Sequence, residues 1–241
     1  MKFAVVIPAR FLSSRFPGKP LIDILGKPMI QHVWERCCLA VGQKKVYVAT
    51  DSSEIEKVCI GFGAQVVMTS SECLTGTDRL AEANKQLKCD FLINVQGDEP
   101  LINPKDIKSV ISQYEQMPNT VINAMCPITS EEEFRSFTVP KVVASKTGNL
   151  FYMSRSAIPI SKNDVFSFGF KQVCIYAFSK AHLEFFSSQR MKTPIEKVED
   201  IEILRFLEND ITVKMIEVES SSVAVDVPSD VEKVIARLTS N

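Results

Sequence analysis

Four short, mostly apolar runs, each ended by a turn or a polar loop, constrain this chain more than any other feature. Residues 3–7 (FAVVI), 45–50 (KVYVAT), 65–68 (QVVM) and 91–95 (FLINV) are rich in β-branched side chains and too short for helices. They read as parallel strands covered on both faces. Helical patterns lie between and after them: residues 28–39, with Met29, Ile30, Val33, Trp34 and Cys37 on one side, residues 53–61, 78–87 and 104–114. Asp51 or Ser52 can cap the second of these. Such alternation predicts an α/β domain whose strands are joined by right-handed crossovers. Ligands in such sheets sit beyond the carboxyl ends of the strands.

The pattern changes near Pro118. Residues 121–128, 141–144, 149–153 and 171–178 read as strands without regular helices between them, and a helix at 194–207, a strand at 211–216 and a helix at 228–238 close the chain. We therefore expect one domain over residues 1–241, with an inserted mixed-sheet subdomain at 129–178. With 241 residues, 45% of them apolar, the chain can bury a large core without disulfides or structural metal. Its seven cysteines show neither C-x-x-C spacing nor a Cys/His cluster, so they read as small core residues of a protein in a reducing cytoplasm. The balance of 28 Lys and Arg against 29 Asp and Glu argues against nucleic acid or anionic membrane as a partner. No segment reaches the roughly 20 apolar residues of a membrane span, and the first residues do not form a signal peptide.

Two loops at expected strand ends carry the chemistry. Residues 8–20 (PARFLSSRFPGKP) place Arg10, Arg15 and Lys19 around Ser13, Ser14 and Gly18, a composition suited to gripping phosphate oxygens. It is neither a Walker loop nor a G-x-G-x-x-G turn. Residues 96–100 (QGDEP) carry Asp98 out of a buried strand, where a carboxylate suits Mg²⁺, although Gly97-Asp98 also fits a plain turn. Asp226 ends a further apolar run and fits either a second metal carboxylate or a helix cap before Pro228. Cations and paired acids of this kind suit nucleotidyl transfer, in which charge grows on the leaving pyrophosphate and no protein nucleophile is needed.

The stretches VVIPARFLSSRFPGKPL, GKPMIQHVWER, VYVATDSSEI, TGTDRLAEA, INVQGDEPLI, FYMSRSAIP and VDVPSDVEKV occur in this order along nearly the whole chain. Together they resemble the 3-deoxy-manno-octulosonate cytidylyltransferase family. The resemblance implies a Rossmann-like nucleotidyltransferase fold and transfer of CMP from CTP to the anomeric hydroxyl of a 3-deoxy-2-keto sugar acid such as KDO, in lipopolysaccharide or capsule precursor synthesis. It implies Mg²⁺ as cofactor and a homodimer formed largely through the insertion, where Phe166, Phe168 and Phe170 are candidate contacts. Arg10, Lys19 and Asp98 would be catalytic. Ala9, Arg10, Ser13, Ser14, Arg15, Lys19, Thr77 and Arg79 would hold CTP, and Asp98 and Asp226 the metal. Gln96, Arg155, Gln172, Tyr176 and Glu202 would face the sugar acid.

Two positions depart from the family's usual pattern. Gln172 stands where a histidine is usual, and Ile203 where a hydrogen-bonding amide is usual, so the acid substrate need not be KDO itself. An amino-substituted KDO or another 2-keto sugar acid is an alternative, and a non-catalytic nucleotide-binding or regulatory protein is a second. Elsewhere the expectations are structural. Arg79 also reads as a surface charge on a helix. Glu196, Glu199 and Glu202 recur at three-residue steps and read as a solvated acidic face, with Glu202 alone turned to the sugar. His32, His182 and Trp34 are assigned to packing.

Overall fold

A computed structural model describes residues 1–11, 16–219, 222, 224–225 and 227–240. One sheet of nine strands organises them: β1 (Phe3–Ala9), β2 (Val46–Thr50), β3 (Gln65–Met68), β4 (Phe91–Val95), β5 (Val121–Pro127), β6 (Lys141–Ala144), β7 (Leu150–Ser154), β8 (Phe170–Ser179) and β9 (Val213–Glu217). Along the sheet the order is β9-β5-β8-β4-β1-β2-β3, with β6 paired to both β8 and β7. Its main path is parallel except for β8, which runs antiparallel between β4 and β5. The α/β class and largely parallel sheet follow the expectation. The last strand within the expected insertion, 129–178, lies in the middle of the sheet.

Local chemistry accounts for the helices. α1 (Met29–Val41) buries Met29, Ile30, Val33, Trp34 and Cys37. α2 (Ser53–Gly61) is capped by Ser52, whose hydroxyl accepts from Ile55 N. α3 (Gly76–Leu87) opens with a capping box between Thr75 and Asp78. α4 (Pro104–Gln116) has Asn103 as cap and proline in its first turn. After β5 come α5 (Glu131–Arg135), in a stretch expected to lack helices, and α6 (Lys180–Ser188). β1 extends past Ile7 to Ala9: Pro8 pairs only with β2, beyond the end of the β1–β4 ladder at Val6, so its missing N–H breaks nothing.

The expected single helix at 194–207 is two short helices, α7 (Pro194–Glu199) and α8 (Leu204–Leu207), divided where Asp200 adopts φ 52°. This break re-aims the glutamates, and the acidic face is not solvated. Glu196 is fully buried and holds Arg205 with two bonds of 2.7 Å. Arg205, itself fully buried, also reaches Asp78 and lies over the Phe186 ring. Glu199 accepts from Tyr152, Ser154 and the Arg155 amide. α9 (Pro228–Thr239) completes the chain.

His32 bonds the Ile24 carbonyl oxygen, His182 packs edge-on to Phe206, and Trp34 packs on Phe62. Cys37, Cys59, Cys89 and Cys126 are buried, and burial pushes the Cys59 thiol up to about 12. Because removing one member of a buried ion pair strands the other, Glu196→Ala should lower stability by about 3–5 kcal/mol in urea unfolding.

Candidate functional site

The carboxyl ends of β1 and β4 and the segment leading into α3 open onto one cleft of about 690 Å³. Its floor is set by a close crossing. A Cβ on Gly97 would lie 2.9 Å from the Pro8 carbonyl oxygen, and one on Gly76 would lie 2.7 Å from Gln96 Nε2. Glycine at both positions lets the loops after β1 and β4 meet the start of α3.

Lys19 is turned into this cleft after Gly18, which has φ 70° and whose N–H closes back on the Phe11 carbonyl oxygen. Its ammonium donates to Asp98 Oδ2 and to the Val225 carbonyl oxygen, both at 2.8 Å. Val225 N in turn donates to the Asp98 carbonyl oxygen at 2.9 Å. Three segments far apart in sequence are thereby tied at one point. Ala9 and Arg10 line the cleft beside them, Arg10 exposed to solvent. Ser13, Ser14, Arg15 and Asp226 lie outside the described residues.

The opposite wall is built on a half-buried acid. Glu202 Oε1 accepts from Gln96 Nε2 and Oε2 from Thr77 N, each at 3.0 Å. Burial pushes its carboxyl above the usual range, against the lowering effect of the Thr77 amide. Its oxygens fix Gln96 and the first turn of α3. Tyr176 is buried and stacks on Phe178 while lining the cleft. Ile203 is fully buried in the apolar core.

Arg79 lines the cleft but is no surface charge. It is 3% exposed, and its guanidinium donates to Asp51 Oδ2, Thr69 Oγ1 and the Ser70 carbonyl oxygen, joining the loops after β2 and β3. Arg155 sits at the rim, with its guanidinium on the carbonyl oxygens of Phe137, Glu199 and Asp200. Gln172 lines the same end of the cleft.

Three residues here were missed. Glu99 is 4% exposed and accepts from the Ser222 hydroxyl. Lys141, fully buried, donates to the carbonyl oxygens of Ser136, Val139 and Arg155, and burial pulls its ammonium down to about 8. Asn123 is fully buried within β5. A polar side chain inside the run VINAM was a signal available in the sequence.

For a metal, the donor set is the test. Asp98 is a carboxylate on a stiff strand end, facing a cleft that also holds Arg10 and Lys19. A hard cation that completes its shell with substrate phosphates and water fits this arrangement. Among the described residues, no group of three or more His, Cys, Asp or Glu side chains forms a cage.

Comparison with known proteins agrees with this geometry. Residues 4–216 match the cytidylyltransferase family. A solved CMP:2-keto-3-deoxy-manno-octonic acid synthetase complexed with CTP superposes with a TM-score of 0.91 at 38% identity, covering 100% of this chain and 99% of that one. The chain belongs to the 3-deoxy-manno-octulosonate cytidylyltransferase family. It shares 39% identity with the Escherichia coli 3-deoxy-manno-octulosonate cytidylyltransferase, over 98% of this chain and 95% of the relative. It shares 41% with an 8-amino-3,8-dideoxy-manno-octulosonate cytidylyltransferase of Shewanella piezotolerans, over 99% of each. This cytidylyltransferase is thus an enzyme of nucleotidyl transfer, and among its described residues no helix is long and apolar enough to cross a membrane.

Burial raises the Glu99 carboxyl above its ordinary value, with the Asp98 charge adding to the effect. Between the two values the folded state binds more protons than the unfolded chain, so stability falls as pH rises through that window. Glu99→Gln keeps an acceptor for Ser222 and removes the ionisation. The variant should melt above the wild type at pH 7–8, with the difference vanishing as pH falls toward 4.5, the ordinary glutamate value, in calorimetric scans.

Proposed function

We propose that this cytidylyltransferase transfers CMP from CTP to the anomeric hydroxyl of a 3-deoxy-2-keto sugar acid, KDO first among them, releasing pyrophosphate. The observation that carries the reading is the Lys19–Asp98–Val225 tie at the strand ends, in a fold shared along its whole length with a CTP-bound relative.

Arg10 and Lys19 bind the triphosphate in this reading, joined by Ser13, Ser14 and Arg15 from the same loop, with the Ala9 backbone beside them. The Lys19 ammonium is held by Asp98 and the Val225 carbonyl oxygen, so positive charge is fixed in place before the pyrophosphate develops its own. Thr77 and Arg79 shape the nucleotide side: Arg79 fixes the loops after β2 and β3, and Thr77 fixes the start of α3. Asp98, with Asp226, would hold Mg²⁺, which supplies Lewis-acid neutralisation of phosphate charge when bound. Gln96, Arg155, Gln172, Tyr176 and Glu202 form the acid-binding side, with Glu202 acting through Gln96. The anomeric hydroxyl of the acid attacks the α-phosphorus and gives its proton to solvent, the bond from the α-phosphorus to the oxygen bridging it to the β-phosphorus breaks, and pyrophosphate leaves with that oxygen.

KDO and its 8-amino analogue are both candidate acceptors, because relatives named for each match equally well. The working form in this reading is a cytoplasmic homodimer. Exposed Phe151, Phe168, Met191 and Val198, on and beside the insertion, support a covered face. Sedimentation should give twice the chain mass for the wild type, and a monomer for Phe151→Glu with Val198→Glu.

Activity is tested by pyrophosphate release from CTP, Mg²⁺ and each acid. Turnover with KDO or the amino acid is expected, and none with any 2-keto sugar acid would overturn the reading. Asp98→Asn should cut kcat by about 100-fold or more while leaving the melting temperature within a few degrees of the wild type, since one electrostatic group at a reacting centre contributes several kcal/mol.

A further inference from the structure

A buried asparagine controls the acid-binding end of the cleft. β8 bulges opposite β5, so that Val173 and Tyr176 oppose the adjacent residues Ala124 and Asn123. This leaves carbonyls in the bulge without ladder partners. The Asn123 amide supplies them: Nδ2 donates to the Val173 carbonyl oxygen at 3.0 Å and to the Ile175 carbonyl oxygen at 2.9 Å. Both of its hydrogens are then in use, and the amide cannot be flipped without setting oxygen against two oxygens. Its Oδ1 can therefore only accept. Gln172 meets that demand by donating Nε2 to it at 2.9 Å.

The remaining atom of the Gln172 side chain is a carbonyl oxygen. Gln172 lines the cleft, and its Oε1 takes no hydrogen bond from the described residues. We infer that Asn123 is a positioning residue that locks Gln172 as a hydrogen-bond acceptor toward the sugar acid, so that the enzyme selects an acid bearing a donor at that point, a hydroxyl or, more strongly, an ammonium group. The chain of fixed orientations runs from backbone carbonyls through Asn123 to the substrate. Ile203, the other departure from the family pattern, lies in the core and does not enter the cleft, so selection at this end rests on Gln172.

This inference rests on the proposed sugar-acid transfer, and the test separates the two. Wild-type turnover with CTP and KDO or 8-amino-KDO is measured first; its absence defeats the functional reading itself. Given turnover, Gln172→Leu should lower kcat/KM for the acid about 10-fold or more, with the larger loss on the amino acid and the KM for CTP unchanged, as expected for a charge-assisted bond.

Asn123→Ala should lower it in the same sense, and the double variant should fall no further than Gln172→Leu alone. Additive losses would overturn the inference. A second measurement leaves Asn123 in place. In Gln172→Glu the introduced carboxyl faces an oxygen that can only accept, so it must carry a proton to fit.

The charged and titratable groups around it include Lys171 paired with Glu133, Lys141 on the neighbouring strand, Arg155, Glu99, Glu202, Tyr176, Cys126 and Cys174. They are common to both proteins, so the difference between pH profiles isolates the new group. The variant's kcat/KM for the acid should rise relative to the wild type as pH falls; a profile parallel to the wild type would overturn the inference.

Discussion

A single ammonium group joins the parts of this molecule that must act together. Lys19 comes from the loop after β1, Asp98 from the loop after β4, and Val225 from the segment before α9, and they meet within 2.8 Å of one nitrogen. Each of these segments alone is a surface loop. Tied together, they form a preorganised electrostatic wall whose positive charge is already desolvated in part and oriented when the nucleotide arrives. The glycines at 76 and 97 allow the tie, because a side chain at either would push Gln96 or Pro8 out of place.

The facing wall depends on buried and half-buried acids instead. Glu202 reaches Gln96 and Thr77, Asp78 caps the same helix, and Arg205 links Asp78 to Glu196 behind it. Such a network holds its geometry because any one broken link leaves a charge or a polar atom stranded in a poorly solvated place. The two walls thus combine opposite electrostatic strategies: partly exposed cations on one side of the cleft and shielded carboxylates on the other.

The strands with uniform apolar runs were legible in the sequence almost to the residue. β3, β4 and β6 fall where expected, because each is a short run rich in β-branched or apolar residues bounded by loops, and β4 is buried on both faces. The loops carrying Lys19 and Asp98 were legible for the same reason, since they follow the strands. What escaped the reading depends on contacts between distant segments. The helix break at Asp200 converts an apparently exposed acidic face into an ion pair between Glu196 and Arg205 and hydrogen bonds to Glu199 from Tyr152, Ser154 and the Arg155 amide. The depth of Arg79 and Lys141 follows from loops that close over them. The role of Asn123 required a bulge in a strand 50 residues away, which no local periodicity encodes.

The antiparallel course of β8 has a consequence for biosynthesis. The edge of β4 that faces away from β1, and the edge of β5 that faces away from β9, both wait for the same late segment, residues 170–179. As the polypeptide leaves the ribosome from its amino end, the half built on β1 to β4 can assemble early, while two apolar edges stay unsatisfied until this strand threads between them. The newborn chain is therefore most vulnerable to sticking to its neighbours in the interval before residue 179 emerges.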